Sequence, residues 1–295
     1  MKKKKWLGVG QIVLMLFLFL ITLTMIVPLL HVLARSLSDP SVSGSMGGLD
    51  IIPKGFTLIN YQVLFSNKHV LPSILNSLFI TVIGTTINIL LTMTAAYVLT
   101  RPNLPGKRIL MCFFIAMMLF DPGIVPEYMV IKELNLMGSK WSVILCQAVN
   151  VYYLIIMMRY IQSVPQSLIE AARIDGAGHI RVLFSVVAPL AKAGIATLTM
   201  FYGVLRWNEY YRAGIYISSI SDVPLQVILR KFIVDGDVTT LIGTQNLLDY
   251  NALAQLDYTA LQYATIIVAI VPILFVYPLV LKYYNKDVMA GGVKG

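Results

Sequence analysis

Charged side chains are scarce in this sequence of 295 residues. Asp, Glu, Lys and Arg together make up 13% of it, whereas a soluble domain carries about 25%. Hydrophobic residues make up 58%, and the mean hydropathy is +0.78. This scarcity of charge excludes an ordinary water-soluble domain and indicates that the chain is embedded in a lipid bilayer. No linker rich in Pro, Ser or Gly divides the sequence, so we expect a single domain.

Cysteine and histidine are also rare, and neither forms a recognisable site. Cys112 and Cys146 lie in apolar stretches, which favours burial as small hydrophobic side chains over a disulfide or a metal pair. The histidines at 31, 69 and 179 lie in different segments. The sequence contains no HExxH, GxSxG or phosphate-binding GxxxxGKS motif. We therefore expect no catalytic residue, no metal site and no cofactor bound by this chain.

Long uncharged runs predict six membrane-spanning helices, since about 20 apolar residues cross a hydrocarbon core about 30 Å thick. The expected fold class is an all-α integral membrane protein. The third span is interrupted by Asp121-Pro122-Gly123, and the fifth by Pro189 and Lys192, which predicts kinks there. Lys192 is expected to extend its charge to the headgroups. The predicted spans are residues 7–33, 70–100, 109–129, 141–161, 183–205 and 259–282, with a polar extracytoplasmic lobe at 206–257.

The basic start of the chain, residues 2–5, also resembles the beginning of a secretory signal peptide. Residues 32–34 would then be a passable cleavage site. The hydrophobic region of a signal peptide is only about 7–15 residues long, however. The first apolar run is much longer, so we interpret residues 7–33 as a retained span.

The basic residues are distributed unevenly between the two sides of the predicted membrane. Thirteen of the 23 lysines and arginines lie at the termini and in the loops 101–108 and 159–181, against nine in the opposite loops. The acids on the basic side are Glu170, Asp175 and Asp287. Because cytoplasmic loops carry the excess of Lys and Arg, both termini are predicted to be cytoplasmic. The net charge of +9 then reflects topology, and no clustered basic face indicates a nucleic-acid partner.

A helix is predicted to begin in the loop between spans four and five. Ser163 is a capping residue, Pro165 falls in the first turn, and Gln166 lies three residues after the serine, which is typical of a helix start. We expect residues 165–175 to be helical. Glycines 176 and 178 then interrupt the helix before a second one begins at 180–183, giving a helix-turn-helix at the cytoplasmic surface. The alternative is an ordinary amphipathic connector.

The same loop carries a recognisable motif. Glu170-Ala171-Ala172 is followed by Gly176 and later by Val186, Ala188 and Pro189. This pattern resembles the EAA loop of binding-protein-dependent ABC importer permeases. Val186 and Ala188 stand where Ile and Leu are commoner in that family, a conservative departure.

Other segments are similar to the carbohydrate-uptake branch of this family. These are Val164-Pro165, Asp175-Gly176-Ala177, Asn76-Ser77-Leu78, Trp207-Asn208-Glu209 and the last six residues, 290–295. The last resemble the tail of the smaller maltose-permease subunit. The remaining sequence resembles the subgroup that imports complex oligosaccharides or polysaccharide fragments.

The resemblance implies the fold of a type I ABC importer permease, with the loop 163–182 as coupling segment, in a bacterial cytoplasmic membrane. It also implies a second homologous permease, two ATPase subunits that bind ATP and Mg, an extracytoplasmic solute-binding protein and a sugar substrate. The residues expected to dock on the ATPase are Glu170, Ala171, Ala172, Asp175, Gly176, Ala177 and Gly178. The residues expected to contact the ATPase from the tail are Gly291, Gly292, Val293, Lys294 and Gly295.

Sugar sites combine aromatic faces with amide or carboxylate hydrogen bonds, and five residues fit this description. They are Asn150, Tyr152, Tyr153, Trp207 and Asn208. An aromatic belt at the membrane interface is the alternative explanation for the rings. Ionisable residues within spans are functional candidates, so Asp121, Glu127 and Glu209 are candidates to line a polar sugar route. We favour the alternative that they are solvated residues near the outer interface. Alternatives for the whole chain are an ABC permease for a peptide, amino acid or metal, and a channel or receptor.

Overall fold

The computed structural model describes residues 9–236 and 257–291, with side chains through residue 275 and at 278. Within these ranges the chain is helical, apart from loops and one isolated antiparallel bridge between Ser38 and Phe56. The helices are α1 (Val9–Ser36), α2 (Pro40–Ser43), α3 (Ile59–Ser66), α4 (Val70–Leu99), α5 (Lys107–Leu119), α6 (Ile124–Glu133), α7 (Lys140–Leu145), α8 (Val151–Gln162), α9 (Gln166–Ile174), α10 (His179–Val182), α11 (Ala188–Leu190), α12 (Lys192–Trp207), α13 (Tyr211–Tyr216), α14 (Leu225–Ile233) and α15 (Tyr258–Gly291).

Three of the described helices are long and apolar enough to cross a membrane by themselves. These are α1, α4 and the first part of α15, Tyr258–Phe275. Two bent helix pairs pass the same test when each pair is taken as one span. The predicted fourth span, residues 141–161, is divided into the shorter helices α7 and α8. The number of six spans therefore stays a prediction.

The first bent pair is α5 and α6, whose axes differ by 116°. Gly123 begins α6 with a φ of 80°, a backbone conformation that favours glycine. The side chain of Asp121 stabilises this turn, because its Oδ1 accepts the N–H of Gly123 at 2.9 Å. The predicted interruption of span three is thus a sharp turn at these residues.

The second bent pair consists of His179–Leu190 and α12, which meet at 87°. A π-helical turn, Leu183–Val187, connects α10 to α11, and Ala191 separates α11 from α12. Pro189 lies immediately before this bend, and Lys192 is exposed immediately after it. The predicted position of the interruption in span five is confirmed.

The described helices group into two compact units, of which the first contains Met1–Val70 and Lys231–Val271. In this unit Asp257 accepts hydrogen bonds from Ser43 Oγ at 2.5 Å and from Arg35 Nη2 at 2.9 Å. Burial alone would raise the pKa of Asp257, but these hydrogen bonds and the charge of Arg35 lower it below its ordinary value. The ion pair joins the end of α1 to the start of α15.

The second unit contains Leu71–Arg230 and Pro272–Gly295. A hydrophobic core in this unit includes side chains of α4, α8 and α12 and of the loop 163–182. Ile169 and Val182 from the two arms of that loop are buried in it. Burial of such a side chain contributes about 1.5–3 kcal/mol. The loop is therefore fixed to the helical body of its unit.

Candidate functional site

The predicted fourth span is interrupted by residues 146–150, which we call the span-four break. These residues lie between α7 and α8 and are not helical. Gln147 has a φ of 52°, which is uncommon for a residue other than glycine. Asn150 begins α8, and its Oδ1 accepts the N–H of Tyr153 at 3.2 Å. Irregular backbone at membrane depth needs partners from the protein, because lipid supplies none.

Arg206, in the last turn of α12, supplies many of these partners. Its Nη1 donates to the carbonyl of Val143 at 2.6 Å, and its Nη2 donates to those of Ile144 at 2.8 Å and Cys146 at 3.1 Å. Its Nε donates to Oδ1 of Asn88 at 3.0 Å. Only 2% of Arg206 is exposed. A cation also suits the carbonyl end of a helix, here α7.

Asn88 of α4 completes the support of the break. Its Nδ2 donates to the carbonyl of Ala148 at 2.7 Å and to that of Gln147 at 3.3 Å. Asn88 is fully buried and also accepts from Arg206. A single asparagine–arginine pair therefore binds backbone carbonyls on both sides of the point where α7 ends.

Tyr202 holds the other end of the break. Its hydroxyl accepts the N–H of Asn150 at 3.0 Å and lies 2.8 Å from Oγ1 of Thr92. Its ring meets that of Tyr153 edge-on, with 4.8 Å between centroids. The break is consequently fixed by side chains from α4 and α12 at both of its ends.

The structure brings three of the five predicted sugar-binding residues together at the break. Asn150 caps α8, Tyr152 is exposed, and Tyr153 is partly buried beside it. Trp207 is buried next to Arg206 in the last turn of α12. Asn208 is exposed at the end of that helix and donates to the carbonyl of Val204. The phenol and amide groups beside the break can contact a polar solute.

A partly buried cluster around an acidic residue adjoins the break. One carboxylate oxygen of Glu127, on α6, accepts hydrogen bonds from Arg212 Nε at 2.6 Å, Tyr216 Oη at 2.7 Å and Cys146 Sγ at 2.6 Å. Burial raises the pKa of Tyr216, and its hydrogen bond to Glu127 raises it further. Burial would lower the pKa of Arg212, but Glu127 raises it above its ordinary value. The cluster joins α6 and α13 to the first residue of the break.

The prediction that Glu209 is solvated is therefore wrong, whereas Glu127 keeps 19% of its side chain exposed and is only partly solvated. Glu209 is buried and lies 3.6 Å from Nη1 of Arg212, and its Oε1 accepts the N–H of the same arginine. The negative charges of both acids are balanced by Arg212, and the sequence alone did not indicate this pairing. Asp121 is exposed, as predicted.

The loop 163–182 contains a defined helix end at the predicted glycine. Gly176 has a φ of 82° and donates to the carbonyl of Arg173 at 3.0 Å. Ala177 donates to the carbonyl of Ala172 at 2.9 Å. These two bonds form a Schellman motif, in which glycine takes the left-handed position after the helix. The motif sets the direction in which the chain leaves α9.

The residues of α9 divide into an inner and an outer face. Ile169, Ala172 and Ala177 pack against the hydrophobic core. The exposed residues of the loop include Leu168, Glu170, Ala171, Arg173, Ile174, Asp175, Gly176 and Gly178. Ile174 is 87% exposed although it is apolar. Two of the predicted docking residues, Ala172 and Ala177, thus pack the loop against the core, while the other predicted docking residues face outward.

The predicted capping of this helix by Ser163 is wrong. α9 begins at Gln166, directly after Pro165, and has no side-chain cap. Ser163 instead ends α8, and its hydroxyl donates to the carbonyl of Tyr160 at 2.7 Å. The hydroxyl is used by the preceding helix and is not available to the next one.

Comparison with known proteins places these features in a family. The family model described as "Binding-protein-dependent transport system inner membrane component" matches residues 100–289, which include the break and the loop. The chain belongs to this family of inner-membrane permeases. The expected membership is confirmed, and a channel or receptor with a chance EAA turn is set aside.

Two relatives of the permease come from Bacillus subtilis (strain 168). A polygalacturonan/rhamnogalacturonan transport system permease protein is 35% identical over 95% of this chain and 96% of its own. Protein LplC is 36% identical over 92% of this chain and 90% of its own. A diacetylchitobiose uptake permease of Streptomyces coelicolor is 27% identical over 88% of this chain and 81% of its own.

A solved structure agrees with the family assignment. The permease matches a chain in the crystal structure of a bacterial ABC transporter involved in the import of the acidic polysaccharide alginate. The TM-score is 0.86 at 28% identity, and the match covers 94% of this chain and 96% of that one. The fold is that of a type I ABC importer permease, all-α over the residues described, as predicted.

Some predicted features lie outside the described residues. These are Gly292, Val293, Lys294 and Gly295 of the tail and residues 237–256 of the lobe. Gly291 is the last residue of α15, and α12 extends to Trp207, so the lobe begins two residues later than expected.

Sequence reasoning missed the residues that hold the span-four break, above all Asn88 and Arg206. An asparagine in the middle of an otherwise uncharged span was the available signal for Asn88. Arg206 was taken for a loop residue because of its charge. The carbonyl groups that it binds belong to a segment without any proline or glycine. Nothing in the local sequence therefore indicated that the helix ends there and that its carbonyl groups need a side-chain donor.

Proposed function

We propose that this permease forms half of the pathway through which an ABC importer takes up a carbohydrate. The expected carbohydrate is an acidic oligosaccharide or a fragment of an acidic polysaccharide. The carrying observation is the span-four break, where phenol and amide groups lie beside irregular backbone. Transporters place substrate sites at such broken helices. The amino end of α8, with its favourable field for anions, also begins there. The names of the polygalacturonan/rhamnogalacturonan relative and the alginate importer support an acidic cargo.

The partners follow from the family and from the loop. A second permease of this family completes the pathway, and an extracytoplasmic binding protein delivers the sugar. Two ATPase subunits bind ATP and Mg and receive the outer face of α9. The excess of Lys and Arg at the termini and on the loop side supports an orientation in which both termini are cytoplasmic. This chain itself catalyses no reaction in the proposal.

Loss of this chain is expected to abolish uptake of acidic oligosaccharides. A strain without it should fail to accumulate labelled oligogalacturonate, and plasmid-borne wild-type chain should restore accumulation. Uptake of a labelled neutral disaccharide and of an amino acid serves as control and should remain unchanged. Loss of amino acid or peptide uptake, with oligogalacturonate uptake intact, would refute the carbohydrate cargo.

Gly176→Ala is expected to weaken docking of the ATPase, whereas Gly178→Ala is not. A side chain at the left-handed φ of Gly176 costs about 1–2 kcal/mol, which the free loop relieves by leaving this conformation. Restoring the conformation on docking then lowers association by about tenfold. Gly178 has a φ of −68°, and both glycines have open space around them. Gly176→Asn should restore most of the association, because asparagine tolerates this conformation. The measurement is the amount of ATPase subunit retained by purified permease. Equal losses from the two alanine variants would contradict the role of the Schellman glycine.

A further inference from the structure

Among the residues that the structure describes, the arginines near the loop 163–182, which we call the coupling loop, form no ion pair with an acid. Five ion pairs are found among the residues that the structure describes: Arg35–Asp257, Lys54–Asp50, Lys140–Asp222, Arg212–Glu127 and Arg212–Glu209. None of them involves a cation of the loops 101–108 or 159–181. Glu170 and Asp175, the acids of the coupling loop, are also absent from these pairs. The face that carries the loop thus presents charges of both signs without compensation inside the described chain.

Two of these arginines belong to one connected cluster. Arg173 Nη2 lies 3.0 Å from Nε2 and 3.2 Å from Nδ1 of His179. The ring of His179 meets Tyr97 edge-on at 6.4 Å, and Arg101 Cζ lies 3.8 Å from the centroid of Tyr97 on its face. Tyr97 is only 4% exposed, and its hydroxyl has no hydrogen-bond partner in the described structure. The cluster connects the end of α4 to the coupling loop.

The positive charges of Arg101 and Arg173 in this cluster repel each other. Burial lowers the pKa of Arg101, and the charge of Arg173 acts in the same direction. An anion that contacts both guanidinium groups would offset their mutual repulsion. A guanidinium presents a planar fork of N–H donors that fits a carboxylate or phosphate group with two parallel bonds.

The surroundings favour a protein carboxylate over the phosphate of a lipid headgroup. Glu170 and Asp175 are exposed on the same loop, so this face carries acids beside its arginines, and an anionic headgroup would pair with the arginines alone. Ile174 and Ile180 are 87% and 76% exposed between the charges. Exposed apolar side chains next to arginine are typical of the core of a protein interface. A protein surface can match both signs of charge and cover the isoleucines at once.

We propose that Arg101 and Arg173 bind an acidic side chain of the ATPase subunit. The inference rests on the proposed function, since that function supplies the ATPase. The docking surface of the ATPase is then of mixed charge. It is basic where it meets Glu170 and Asp175, and acidic where it meets the two arginines.

Carbodiimide cross-linking of the co-purified complex tests this contact directly. Arg173→Lys provides an amine that the reagent joins to a carboxylate within contact distance, and mass spectrometry identifies the linked peptides. The matched control is Arg108→Lys, an exposed cation on the same side of the chain. We expect a link from position 173 to an Asp or Glu of the ATPase subunit and none from position 108. Absence of a link from 173, in a complex that retains its ATPase, overturns this proposal alone. Failure of the wild-type chain to retain any ATPase overturns the proposed function.

Association measurements distinguish the protein from a lipid. In proteoliposomes of neutral phosphatidylcholine, Arg101→Gln and Arg173→Gln should each weaken ATPase association by about tenfold, and Arg108→Gln should not. An effect that appears only when anionic phosphatidylglycerol is included would assign the cluster to lipid and refute the proposal. A charge exchange, with Arg173→Glu and the cross-linked acid changed to arginine, should restore association if the two side chains pair.

Discussion

Arg206→Leu is expected to destabilise the folded permease more than a substitution of any other charged residue described above. The substitution removes the donors to three buried carbonyls, those of Val143, Ile144 and Cys146. A buried polar group without a partner costs about 1–3 kcal/mol. Several such losses approach the whole free energy of unfolding of a typical domain, about 5–15 kcal/mol. Arg206→Lys should be intermediate, because one ammonium group cannot reach all three carbonyls.

The buried thiol of Cys146 provides the measurement, because it reacts with a fluorogenic maleimide only after the structure opens. Cys112 is exposed and is first replaced by serine. The midpoint of thermal labelling should fall by more than about 10 °C in Arg206→Leu, on a scale of roughly 2–4 °C per kcal/mol. Arg230→Leu is the control, because Arg230 is exposed. Its Cζ lies 5.2 Å from the centroid of the Tyr210 ring, a contact that is much weaker than the buried hydrogen bonds of Arg206. A midpoint for Arg206→Leu equal to that of the control would show that the break does not depend on this arginine.

Gly194→Ala is expected to prevent correct packing of α12 against α8, although it adds one methyl group. A Cβ at Gly194 would overlap the ring of Tyr160 and lie 2.8 Å from its Cβ. Rotation of the tyrosine moves its ring but not its Cβ, so the contact with that atom remains too short in every rotamer. Overpacking of this kind costs about 1–3 kcal/mol or more. The amount of assembled permease in membranes should therefore drop several-fold.

Gly203→Ala, in the same helix, is the matched control. The nearest atom to a Cβ there is Oγ1 of Thr85 at 3.9 Å, an ordinary contact. The double variant Gly194→Ala with Tyr160→Ala should recover part of the assembly, because the overlapping ring is gone. Equal membrane amounts of Gly194→Ala and Gly203→Ala, by quantitative immunoblot, would show that the helices separate without cost.

Uninterrupted apolar runs and local breakers explain what the sequence predicted well. The span predicted at 70–100 is α4, Val70–Leu99, and the turn at Gly123 follows from a local Asp-Pro-Gly pattern. The position of the loop 163–182 followed from Glu170 and Gly176, whose spacing is recognisable without a structure. The Schellman bonds then supply the physical reason for the glycine.

The span-four break could not be predicted, because its causes are distant in sequence. Asn88 lies 59 residues before Gln147 and 118 residues before Arg206. From helix propensity alone, residues 146–150 would be expected to join α7 and α8 into one continuous helix. Tertiary partners that replace helical hydrogen bonds leave no periodic pattern. The partial burial of Glu127 was missed for the same reason, since its compensation by Arg212 is also non-local.

The contact between Tyr160 and Gly194 has a consequence for the way in which changes in one part of this chain affect another. The two residues flank the loop 163–182 and the bend at Ala191, so their contact closes that whole stretch of chain into a ring with a fixed base. Substitutions on the outer face of α9 are therefore expected to leave the helices beside the span-four break in place. Under the proposed function, the surface for the ATPase and the surface for the sugar can then change independently.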